Sequence, residues 1–96
     1  MHNDKYVWDE DKYEKNIKKH RISFEEAATV FSDINAVYSD DEAHYTYDEE
    51  RFKVIGMSKT LKMLVVCHCY RNGDRYIRIF SARKATKREQ IIYRKG

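Results

Sequence analysis

Proline is absent from this 96-residue chain, and glycine occurs only as Gly56, Gly73 and Gly96. A flexible linker, a low-complexity tract and a phosphate-cradling glycine loop are thereby excluded, and nucleotide-triphosphate binding through a P-loop goes with them. No apolar run approaches the ~20 residues that cross a bilayer. The acidic start does not read as a secretory or transit peptide, so the expectation is one cytoplasmic domain over residues 1–96 with no membrane partner. Cysteine is scarce as well, with only Cys67 and Cys69. Two apart on a strand, these thiols share one face at the limit of disulfide reach, and two thiols do not complete a metal shell. Buried apolar thiols are the expected outcome. His2, His20, His44 and His68 are scattered, no HExxH or paired-cysteine motif assembles a ligand set, and Asp40-Asp41-Glu42 reads as a solvated acidic loop. Any catalysis is expected to be metal-independent and without a cofactor.

What the second half lacks is negative charge. Residues 51–96 hold 13 Lys/Arg against only Asp74 and Glu89, whereas residues 1–50 hold 14 carboxylates against 6 Lys/Arg. The overall +3 conceals that split. A half this basic, with Arg71, Arg75, Arg78 and Arg83 around short apolar runs, favours a polyanion or a strongly acidic partner protein.

Periodicity predicts an α+β domain. Val7-Trp8-Asp9 anchors the start. Glu10–His20 reads as a charged helix, with Tyr13 and Ile17 as its apolar contact and Asn16 as a polar flank. Ser23-Phe24-Glu25-Glu26 is a capping-box pattern opening a short helix through Phe31 that buries Phe24, Ala27, Ala28 and Phe31. Ala36-Val37-Tyr38 reads as a short strand, followed by an acidic surface loop, Ser39–Glu50, that Tyr45 and Tyr47 dock. Strands are expected over Arg51–Met57, Lys62–Tyr70 and Arg75–Phe80, the last two joined by the Asn72-Gly73 hairpin signal. Thr86-Lys87-Arg88-Glu89 offers a second capping box for a C-terminal helix, Thr86–Lys95, that turns Ile92 and Tyr93 inward. The expected whole is an antiparallel sheet of about four strands with one face partly open to a ligand.

Metal-free RNA cleavage is chemically open to this residue set. It requires a proton acceptor for the 2′-hydroxyl, cations for the scissile phosphate, and a proton donor for the departing 5′-oxygen. His68 is either a packed core histidine or a possible acid or base. His20 ends a helix, where the dipole favours the protonated imidazole; capping, surface and catalytic roles stay open for it. Glu50-Arg51 is either a solvated strand end or a base beside a phosphate binder. Arg78 sits between Ile77 and Ile79, so it must contact phosphate or pair internally with an N-terminal carboxylate. Arg83 can aim over the sheet, and Tyr70 or Tyr76 can stack on a base. Lys84, Lys87 and Arg88 present phosphate-binding charge without a base-reading pattern.

In order, Val7-Trp8-Asp9, Lys12, Asn16, Lys19-His20, Ile22-Ser23-Phe24-Glu25-Glu26-Ala27, Val30-Phe31 with Asp33, Glu50-Arg51, Ile55-Gly56, Leu64-Val65-Val66, Arg71, Arg78-Ile79, Ser81-Ala82-Arg83, Ala85, Glu89 and Tyr93 resemble the BrnT family of toxins over about residues 6–94. The resemblance implies a RelE-like fold and an RNA-cleaving toxin of a type II toxin–antitoxin pair. The implied partner is a BrnA-type ribbon-helix-helix antitoxin, in a complex of two toxins and two antitoxins that meets operator DNA through the antitoxin. Carried over by position, it implies functional weight for Lys19, His20, Glu50, Arg51, Arg71, Arg78 and Arg83. Glu50 or His20 would then be the proton acceptor, and Arg51, Arg78 and Arg83 the clamp. Three departures bear on turn geometry: Arg21 stands where the family commonly has Gly and can add a phosphate contact, Leu61-Lys62 replaces a common Gly-Arg, and Asp48-Glu49-Glu50-Arg51 lacks the usual Gly before the acidic-basic pair.

Overall fold

The computed structural model describes residues 5–44, the side chain of His44 excepted, and 49–96; the expected docking by Tyr45 and Tyr47 lies outside them. Three α-helices and a five-stranded mixed sheet make up the fold. The elements are β1 (Tyr6–Val7), α1 (Glu10–His20), α2 (Phe24–Thr29), β2 (Val37–Asp40), β3 (Phe52–Met57), β4 (Met63–Arg71), β5 (Tyr76–Lys84) and α3 (Lys87–Lys95), with 3-10 turns at Val30–Ser32 and Glu42–His44. Spatial order is β1-β5-β4-β3-β2. The antiparallel four-strand expectation is corrected by β1, which pairs parallel to β5 through Tyr6↔Ile77 and Val7↔Arg78. Two residues carry too little alternation to announce a strand.

Alternation sorts the sheet as read from sequence. Val54, Leu64, Val66, Ile77, Ile79 and Ala82 are buried with Ile22, Phe24, Ala27 and Val30 in one core beneath the first two helices. Gly56 lets the turn after α2 approach, since a Cβ there would lie 2.6 Å from Val30 Cγ1. The second face is not uniformly open. Ile55 and Val65 lie on it yet are 5% and 1% exposed, at the end where α3 packs against β3. Of the two residues expected inward on α3, Ile92 is 43% exposed, while Tyr93 anchors the helix by donating its hydroxyl to Asp33 Oδ2 at 2.7 Å.

Helix boundaries follow local chemistry. Asp9 caps α1 by accepting from the amides of Asp11 and Lys12. Thr86 and Glu89 form a reciprocal capping box at α3. At α2 only half of the expected box forms: Ser23 Oγ accepts from the Glu26 amide, while the Glu26 carboxylate turns to the hydroxyls of Ser58 and Thr60 and to Lys62. That reach ties α2 to the β3–β4 turn.

Arg21 and Leu61, at two of the three departures, stand on left-handed backbone, and Asp48, at the third, lies outside the described residues. Arg21 has φ 60° at the C-cap of α1, and Leu61 has φ 65° in the β3–β4 turn with 82% exposure. A Cβ in this region costs roughly 1–2 kcal/mol, against which glycine's greater unfolded-state freedom must be set. Leu61→Gly is therefore expected to raise unfolding free energy by about 0.5–1 kcal/mol, as is Arg21→Gly, read from the midpoint of urea denaturation at constant slope.

Candidate active site

A β-bulge organises the open part of the second face. Cys67 pairs with Ser81 and His68 with Ile79, so Phe80 is the extra residue on β5. Bulges re-aim side chains, and three cations gather on this ring. The Arg51 guanidinium carbon lies 4.0 Å from its centroid, that of Arg78 5.7 Å and the Lys12 ammonium 5.9 Å. They arrive from the entrance of β3, from β5 and from α1. Of the two roles left open for Arg78, the internal pair is made with no described carboxylate, and its buried Nε has no hydrogen-bond partner among the described residues; Asp4 lies outside them.

Asn16 explains how α1 supplies its share. It is 5% exposed, donates from Nδ2 to the carbonyls of Ile22 and Ala82 at 2.9 Å each, and accepts the Ala82 amide at 3.0 Å. β1 covers the edge of β5 only as far as Arg78, so beyond it the Asn16 amide takes the place of a strand partner. Lys12, Asn16 and His20 are spaced four apart and line one side of α1. Pinning Asn16 to Ala82 thus sets Lys12 at Phe80 and brings His20 near Arg83. Burial first, then the positive Lys19 and Arg83, lower the His20 pKa, the reverse of the dipole expectation. A neutral imidazole is the form that accepts a proton.

Arg83 is on the same face but is engaged. Its guanidinium forks both oxygens of Glu89, at 2.8 and 2.9 Å. That fork leads the causes that pull the Glu89 carboxyl to about 2, against its burial. Because the folded value lies below the ordinary 4.5, the stabilisation is complete above about pH 4.5 and is lost as pH falls toward 2. Glu89→Gln is expected to flatten acid denaturation across that window, followed by circular dichroism. Glu49 bridges Arg51 at 3.3 Å and Arg71 at 2.7 Å. Asp41, expected in a solvated loop, is 5% exposed and lines a cavity with Lys12, Arg51, Cys67, Phe80 and Ser81.

The three clamp arginines therefore divide. Arg51 and Arg78 converge at Phe80, whereas Arg83 lies roughly 15 Å of strand from Arg78, beside His20. Glu50 is exposed one residue before Arg51, and Arg71 and Tyr76 pair across the β4–β5 hairpin near this end. Lys19 and Arg21 are exposed at the end of α1, Lys84 at the end of β5, and Lys87 and Arg88 on the first turn of α3. His68 is separate from all of these. It lies on the helix-covered face at 0% exposure, its Nδ1 3.1 Å from the Val66 carbonyl and its ring among Phe31, Tyr38, Phe52 and Tyr70. Burial lowers its pKa. The core reading of His68 holds, and acid–base contact with the arginines is excluded by the intervening sheet. Lys12 and Phe80 were not legible as site residues, although the Lys12/Asn16/His20 spacing is a signal for the first.

A basic, partly open sheet face backed by two helices defines a small α+β domain suited to a polyanion. The family described as "Ribonuclease toxin, BrnT, of type II toxin-antitoxin system" matches residues 8–89, and the chain belongs to it. The fold agrees with the 1.1 Å crystal structure of the Brucella abortus ribonuclease toxin BrnT, with TM-score 0.64 and 24% identity over 88% of this chain and 100% of that one. No curated protein matches the sequence. No helix among the described residues is long and apolar enough to cross a membrane.

Proposed function

We propose that this ribonuclease-toxin family member is a metal-independent endoribonuclease, and that the Arg51–Arg78–Lys12 cluster around Phe80 holds the scissile phosphate. The observation that carries this reading is Arg78: a mid-strand guanidinium on an open face, gathered with two other cations and bridged by no carboxylate among the described residues. Arginine forks match phosphate oxygens and stabilise the charge that builds in the transition state. The 2′-hydroxyl attacks the adjacent phosphorus, the bond to the 5′-oxygen breaks, and a 2′,3′-cyclic phosphate is left. With the phosphate at Phe80, Glu50, next to Arg51, accepts the 2′-hydroxyl proton, and the leaving oxygen takes up a proton from the conjugate acid or water; His20, beside Arg83 roughly 15 Å of strand away, is the acceptor only for a phosphate held at that end of the face. Arg83, Lys19, Arg21, Arg71, Lys84, Lys87 and Arg88 carry the flanking phosphates.

The same reading supplies RNA as substrate and a BrnA-type ribbon-helix-helix antitoxin as partner, in a complex of two toxins and two antitoxins that touches operator DNA through the antitoxin. The fold is assigned to the RelE-like group and the protein to the cytoplasm. Purified protein incubated in EDTA with RNA and with DNA of the same sequence is the test. RNA cleavage to cyclic-phosphate ends with DNA intact supports the reading, and Glu50→Ala against His20→Ala identifies the proton acceptor. Tight RNA binding without cleavage overturns it in favour of a non-catalytic binding module.

A further inference from the structure

The cavity beside the cation cluster has a composition that phosphate binding does not explain. It measures about 200 Å3 and is lined by Lys12, Asp41, Arg51, Cys67, Phe80 and Ser81. Pockets for drug-sized ligands run to roughly 300–1,000 Å3, so this one suits a single heterocycle. One wall is the Phe80 ring with the Arg51 guanidinium laid over it at 4.0 Å. Bases in single-stranded RNA stack on aromatic rings and on guanidinium planes. The Asp41 carboxylate on another wall repels a phosphate but accepts from base N–H groups, and a carboxylate has lone pairs enough for more than one donor. The Ser81 hydroxyl adds a donor and acceptor. Arg78, 5.7 Å from the same ring, stands where the phosphate attached to a stacked nucleotide would fall.

We propose that this cavity is a nucleobase subsite, in which the base next to the scissile phosphate stacks on the Phe80–Arg51 pair with its edge toward Asp41 and Ser81. Placement of the phosphate at Arg51 and Arg78 rests on the ribonuclease reading; occupancy of the cavity by a base does not. The bulge at Phe80 has a function on this account, since an unbulged β5 would turn Ser81 to the core face and Ala82 to the cavity.

Cys67 reports on the cavity directly, being a free, half-buried thiol in its lining, while buried Cys69 serves as internal reference. Alkylation by iodoacetamide is followed by mass spectrometry with 5′-AMP or ribose 5-phosphate present. The subsite predicts that saturating 5′-AMP slows Cys67 alkylation by about fivefold or more and that ribose 5-phosphate leaves it nearly unchanged. Equal protection by the two, or none by either, overturns it. Phe80→Leu is expected to abolish the difference. Should that variant not fold, the wild-type protein is given an RNA with one abasic nucleotide at its cleavage position, whose cleavage is expected to fall about tenfold or more, the scale of one stacking contact. Unchanged cleavage of the abasic RNA sinks the subsite while leaving the ribonuclease reading intact. Protection by 5′-AMP without cleavage of any RNA does the opposite.

Discussion

Replacing Asn16 by alanine is expected to lower the unfolding free energy by about 3–5 kcal/mol, because three buried backbone groups lose their partner together. The Ala82 amide, the Ala82 carbonyl and the Ile22 carbonyl are each satisfied by that one side chain. Water cannot replace it at a site 5% exposed. With native stabilities of roughly 5–15 kcal/mol, the loss leaves the domain marginal. Asn16→Asp is expected to be nearly as damaging, since a carboxylate accepts the Ala82 amide but cannot donate to either carbonyl. Urea denaturation measures both. A loss below about 1 kcal/mol for Asn16→Ala would show that α1 is held to β5 by packing alone.

The same side chain marks the boundary of what sequence discloses. Strand alternation placed His68 opposite Cys67 and Cys69, and the Asn72-Gly73 pair located the β4–β5 hairpin, because both signals are local and repeat with the backbone geometry. Asn16 reads as a polar flank because its partner is 66 residues away. Asp41 reads as solvent-facing because nothing nearby tells that its backbone pairs with Arg51 and closes a cavity. One long-range pair was within reach. Glu89 and Asp74 are the only carboxylates after Arg51, so an arginine needing an acidic partner in that half had few choices, and Arg83 forks Glu89. Arg51 and Arg78 meet at the Phe80 ring, which alternation along β5 puts on the Arg78 face; the one-residue bulge that keeps Ser81 and Arg83 on that face while Ala82 enters the core is announced by no sequence pattern. Strict alternation from Arg78 would turn Arg83 to the core face, so its place on the open face follows from that bulge alone.

Arg78→Ala is expected to reduce RNA cleavage by about 10²–10³-fold, the scale of one preorganised transition-state donor, with little change in stability. The asymmetry comes from its surroundings. Arg51→Ala also breaks a pair with Glu49, and Arg83→Ala orphans a carboxylate that is held down at about 2, so either variant mixes folding with catalysis. Arg78 bridges to no described carboxylate, and alanine there removes a buried Nε that has no hydrogen-bond partner. Arg78→Lys keeps the charge but not the planar fork, and is expected to recover RNA binding more fully than turnover. Single-turnover rates with saturating enzyme, alongside thermal denaturation of each variant, separate the two effects. A folded Arg78→Ala protein that cleaves within threefold of wild type at saturation would move the reacting phosphate away from Phe80 and toward the His20–Arg83 end of the face.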